Sequence, residues 1–124
     1  MDVTTALPKI PVWRLGRVSR AEFGRVWAGA EHAAAHTVGE PYLTGVVWTL
    51  RWIGGCETEA PVSRAARWVM PESLDAEYMA AIRAARNPRR HSTRNDLARG
   101  TMAVLGWLYH QQPEPALTSG AEAG

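Results

Sequence analysis

The feature that most constrains this chain is that it can be laid over itself. With an offset of 55 residues, Ala21-Glu22-Phe23 falls on Ala76-Glu77-Tyr78, Ala30 on Ala85 and His36 on His91. Gly45 then meets Gly100, Leu50 meets Leu105, Trp52-Ile53 meets Trp107-Leu108, and Val62-Ser63 meets Leu117-Thr118. Upstream the offset is 50, and Pro11-Val12-x-Arg14-x-x-Arg17 matches Pro61-Val62-x-Arg64-x-x-Arg67. One unit spans residues 11–60 and the second 61–112, with about five extra residues near Val69 to Ser73. A repeat of this length is one supersecondary unit that needs its twin to cover its apolar face.

Each unit reads as two helices. Ser19-Arg20-Ala21-Glu22 has the capping-box form, and Phe23, Val26, Trp27, Ala30, Ala33 and Ala34 follow at helical spacing. That helix should end between Thr37 and Gly39. Pro41 suits the first turn of the next helix, which carries Leu43, Val46, Val47, Leu50 and Ile53 and stops at Gly54-Gly55. In the second unit, Ser73 or Asp75 caps a helix that Asn87-Pro88 breaks, and Asn95 or Asp96 opens the last one. Ser63 to Met70 is the place for a short additional helix.

Gly45 and Trp52 share a helix face, as do Gly100 and Trp107. The second helices of the two units are therefore expected to cross near the glycines about a pseudo-twofold axis, with both tryptophans in the core. The expected fold is all-α: two tandem helical-hairpin repeats forming a compact four-helix domain over 11–112. Residues 1–10 read as an extended N-terminal segment and 113–124 as a flexible tail.

Composition narrows the function classes. A chain of 124 residues with 46% hydrophobic and 21% charged residues has a globular balance. The longest apolar run, Thr44 to Leu50, stops at Arg51, far short of a membrane span. MDVTTALPKIP lacks a basic-then-apolar signal pattern, and Cys56 is the only cysteine, so a cytoplasmic location is expected. A net charge of +2 permits nucleic-acid binding without requiring it.

The pattern Gly-x4-Leu-x-Trp-[Ile/Leu], in GVVWTLRWIGG and GTMAVLGWLYH, precedes APVS and PALT. In this the chain resembles small uncharacterised proteins of actinobacterial phages, plasmids and integrative elements. The resemblance implies an accessory role and assigns no site residues.

Chemistry-bearing groups are few. His32 and His36 stand at the i, i+4 spacing of metal pairs, with His91 and His110 as further candidates, but no second ligand pair accompanies them, and Asn87 stands at the repeat position of His32. They read as ordinary histidines, and neither metal nor cofactor is expected. Cys56 falls beyond a helix C-terminus, where the dipole disfavours a thiolate. No nucleophile triad, phosphate-cradling glycine loop or acid pair stands out, so catalysis is not expected.

Two binding readings remain. Six arginines lie between Arg83 and Arg99, opposed only by Asp96, at the end of one helix and the start of the next. Arg86, Arg89, Arg90, Arg94 and Arg99 are the candidate residues for nucleic acid or another anion. The first unit lacks this basic character in its matching loop. The other reading, and the favoured one, is a non-enzymatic, inhibitor-like accessory protein that binds a host or defence protein complex. Its anchors would be Trp13, Trp48 and Trp68, the tryptophans that fit the repeat core least. Trp48 pairs with Ala103, so the core demands no aromatic there. Homodimerisation is compatible with either reading. A helix-turn-helix reader is not expected, because the loop from Asn87 to Asn95 is too long.

Overall fold

A computed structural model describes residues 2–65, 69–87 and 93–117. Its helices are α1 (Val3–Ala6), α2 (Arg20–His36), α3 (Pro41–Ile53), α4 (Pro71–Arg86) and α5 (Thr93–Tyr109). Single 3₁₀ turns lie at Leu7–Lys9 and Val12–Leu15. The described residues thus form an all-α bundle in which α2–α3 and α4–α5 are helical hairpins.

The sequence punctuation works locally as read for the first hairpin. Ser19 is the N-cap of α2 and accepts from the Glu22 amide at 3.1 Å. Pro41 opens α3 with Glu40 as the cap, and Gly54 follows its last residue. Between the helices lie only residues 37–40.

Helices α3 and α5 form the centre. In α3, Leu43, Gly45, Val46, Val47, Thr49, Leu50, Trp52 and Ile53 are all buried, leaving little outward face. The two helices pass backbone against backbone at Gly45 and Gly100. Beside that crossing, Thr49 Oγ1 donates to the Gly45 carbonyl at 2.7 Å and accepts from Thr101 Oγ1 at 3.0 Å. Phe23 from α2 lies parallel to Trp107 with ring centroids 6.4 Å apart, and it meets Trp27 edge-on at 5.8 Å. Trp27, Trp52 and Trp107 are all buried.

Several expectations need correction. Residues 2–10 are not an extended appendage. Asp2 caps α1, Leu7 packs over Gly24, and Ile10 is buried in the main core. Arg20 donates to the carbonyls of Leu7 and Ile10 at 2.6 and 2.8 Å, which ties this segment to α2.

The tail does not begin at Pro113. Arg17 donates to the Gln112 carbonyl, Glu114 pairs with Arg25 at 2.7 Å, and Pro115 is buried. Leu117 lies against Gly29, where the absent side chain leaves room. Residues 118–124 fall outside the described residues.

Helix α4 starts at Pro71, earlier than Ser73 or Asp75. Ser73 turns back instead, and its Oγ accepts from the Met70 amide at 2.7 Å. Between the units, residues 61–63 make a turn and no helix includes 64–65 or 69–70. Trp68, in the centre of that stretch, is outside the described residues. Helix α5 starts at Thr93, before Asn95, whose side chain has a different task.

Candidate anion-binding site

The end of α4 and the start of α5 meet a short loop, and the three enclose a recess. Helix α4 stops because Asn87 takes an extended conformation ahead of Pro88. The last carbonyls of a helix need donors. Asn95 supplies them: it is buried, and its Nδ2 donates to the carbonyls of Ala84 and Asn87 at 2.9 and 3.2 Å. Asn95 thus closes α4 from a position inside α5.

The loop is fixed by Glu77, which is 1% exposed. Its Oε2 accepts from the amides of Val62 and Ser63 at 2.5 and 2.9 Å, and its Oε1 from Ser63 Oγ at 2.7 Å. A buried carboxylate holding three donors is a stable arrangement, since both sides are satisfied. Arg64 follows in the left-handed region at φ 61°. Its guanidinium sits 4.1 Å above the Trp48 ring and pairs with Glu59 at 2.9 Å.

The resulting recess has a volume of about 340 Å³. Val62 and Ala84 form apolar wall, and Ser63, Asn87, Arg83 and Arg94 bring polar atoms to it. Arg83 lies in the last turn of α4 and Arg94 in the first turn of α5, so the hairpin places one guanidinium on each side.

What distinguishes these arginines is that they are unspent. Arg14, Arg17 and Arg20 donate to backbone carbonyls. Arg25, Arg51, Arg64 and Arg99 pair with Glu114, Glu31, Glu59 and Asp96. Arg83, Arg86 and Arg94 are exposed and have neither a carboxylate nor a carbonyl partner among the described residues.

Of the five arginines singled out from the sequence, Arg86 and Arg94 belong to this unpaired group. Arg99 does not: Asp96 holds it at 2.7 Å, and it borders a separate recess beside Tyr42, Tyr78 and Met102. Arg89 and Arg90 lie outside the described residues. Arg83 joins this group from outside the five, its spacing of three from Arg86 placing the two on one helix face.

The aromatic candidates separate similarly. Trp13 is 45% exposed and follows Val12 at 71%, a small apolar patch on a 3₁₀ turn. Trp48 is engaged within the chain: its indole donates to the Glu59 carbonyl at 3.1 Å beneath the Arg64 guanidinium.

His32 and His36 stack with centroids 4.3 Å apart, and His36 Nδ1 donates to the His32 carbonyl. Among the described residues, no group of three or more His, Cys, Asp or Glu is placed to hold a metal ion. Cys56 is half-buried past the end of α3, beside Lys9 and Arg14. No described helix is long and apolar enough to cross a membrane.

Neither a protein-family model, nor a curated protein, nor a solved structure matches the chain.

Proposed function

We propose that this chain is a non-enzymatic binding protein that holds phosphate-bearing nucleic acid at the α4–α5 end. The carrying observation is that, among the described residues, Arg83, Arg86 and Arg94 stay unpaired where seven other arginines are bonded within the molecule. Leaving three guanidiniums together on one end costs repulsion, which an anion relieves. Arginine's planar fork matches phosphate oxygens in pairs.

The two hairpins are read as copies of one ancestral unit related by a pseudo-twofold axis. The meeting of the equivalent glycines Gly45 and Gly100 supports this. The second copy then diverged in charge at its loop, acquiring the site. The likeness of the glycine–tryptophan pattern to small proteins of phages and mobile elements supports an accessory role.

The test is fluorescence anisotropy with labelled single-stranded and duplex DNA. Binding should weaken as salt rises, with a log–log slope of about −2 for three phosphate contacts on a single strand. Each of Arg83→Ala, Arg86→Ala and Arg94→Ala should flatten that slope by about 0.7. Binding that ignores these substitutions refutes the assignment.

A second reading keeps the host or defence protein complex as the partner, docked on Val12 and Trp13, because both are exposed on a turn held by the core. Trp13→Ala then abolishes capture of that complex while DNA binding is untouched.

A further inference from the structure

The recess is concave, and that narrows the ligand beyond a nucleic-acid backbone. We infer that the space between Arg83 and Arg94 receives a terminal phosphate monoester, such as the 5′-phosphate of a nucleotide or of a nucleic-acid strand. This inference rests on the anion-binding reading above and specifies its ligand.

Three observations carry it. First, two unpaired guanidiniums reach one recess from opposite helices. A monoester carries close to two negative charges at neutral pH, whereas each internal diester of a strand carries one. Two facing cations match the former. Second, an internal phosphate is tethered on both sides and suits an open groove, while a chain end can enter a pocket. The recess, about 340 Å³, admits a phosphate with its attached sugar.

Third, the described residues of the lining include neither an aromatic ring nor a carboxylate. These residues offer a base no stacking platform but offer a phosphate two guanidiniums. The acid that anchors the Ser63 wall, Glu77, is buried and already accepts three hydrogen bonds. It thus fixes the wall from behind without lining the pocket.

The experiment compares two short single-stranded DNAs of one sequence, each labelled at the 3′ end, with either a 5′-phosphate or a 5′-hydroxyl. The phosphorylated strand should bind about tenfold tighter, the value of one charge-assisted contact pair. Arg83→Ala and Arg94→Ala should each erase that preference. Both side chains are exposed and unpaired, so their removal leaves the fold intact. Arg86→Ala, off the recess, should weaken both strands equally. The preference should fade below about pH 6 as the monoester takes up a proton.

Adenosine monophosphate as competitor separates the two sources. Displacement of the phosphorylated strand by the nucleotide shows that a free nucleotide suffices. Failure to displace it shows that the site needs a strand end. Equal, salt-sensitive binding of both strands overturns this inference and leaves the anion-binding reading standing. Binding of neither strand overturns both.

Discussion

Gly45 and Gly100 meet where α3 crosses α5: a methyl group on Gly45 would lie 2.0 Å from the Leu97 carbonyl oxygen, and one on Gly100 2.2 Å from that of Tyr42. Both obstacles are backbone, so no rotamer change makes room. The close approach accompanies burial of eight of the 13 residues of α3 and nine of the 17 of α5.

Replacing either glycine with alanine should therefore destabilise the protein. The alanine gains about 1 kcal/mol of helix propensity. Forcing apart two packed backbones costs about 3 kcal/mol or more. Urea denaturation should show a net loss of about 2 kcal/mol for Gly45→Ala and for Gly100→Ala. An unchanged midpoint would mean that the crossing is looser than described.

Glu77 should prove to be a stability residue, unlike the exposed acids Glu72 and Asp75 of the same helix. Glu77→Ala strands the amides of Val62 and Ser63 and the Ser63 hydroxyl in a buried place. The expected loss is about 2–4 kcal/mol by chemical denaturation. Amide hydrogen exchange at Val62 and Ser63 should speed up in the same variant.

Glu31 gives the protein a pH dependence. Burial opposes its charge, but hydrogen bonds from Arg51 and Trp27, with the Arg51 charge, outweigh this and hold its carboxyl below the usual range. Arg51 reaches it in a bidentate pair at 2.7 and 2.8 Å. A carboxyl whose folded pKa is depressed adds stability above its unfolded pKa of about 4.3. That stability is lost as pH falls through the lowered folded value. Wild type should exceed Glu31→Gln in unfolding free energy at pH 7, and the difference should vanish in acid. A pH-independent difference would assign Glu31 a packing role only.

Asn95 should be sensitive to a change of one atom type. Asn95→Asp replaces the donating amide with an oxygen facing the carbonyls of Ala84 and Asn87. A loss of about 1–3 kcal/mol is expected, with fraying of α4 seen first at Ala84 and Ala85. Asn95→Asp as stable as wild type would contradict the capping role.

These residues also show what was legible in advance. Ser19, Pro41, Gly54 and the paired glycines act through neighbours close in sequence or through helix periodicity, and the sequence reading located them correctly. Asn95 was misplaced because an asparagine near a helix start ordinarily caps that helix. Here its partners are carbonyls at the end of another helix, eight to eleven residues away. Leu117 and Ile10 are ordered by contacts with Gly29 and the core that no local pattern announces. At the site, the density of arginines between Arg83 and Arg99 was plain. Which of them are free was not, because pairing depends on what folding brings near. The i, i+3 spacing of Asp96 and Arg99 is legible in the sequence and marks Arg99 as paired. Glu77 matched the exposed capping residue Glu22 in the repeat, which concealed that it is buried.

The central claim is that the unpaired arginines at the α4–α5 end form the binding surface. The most direct measurement is the salt dependence of single-stranded DNA affinity for wild type, for Arg83→Ala/Arg86→Ala/Arg94→Ala and for Arg17→Ala/Arg25→Ala/Arg99→Ala. All six side chains are exposed, so the variants differ in whether the lost charge is already engaged within the chain. The account predicts that the first triple variant loses its salt slope of about −2, while the second retains most of it. Equal losses in the two variants would contradict it, because binding would then follow net charge and not this site.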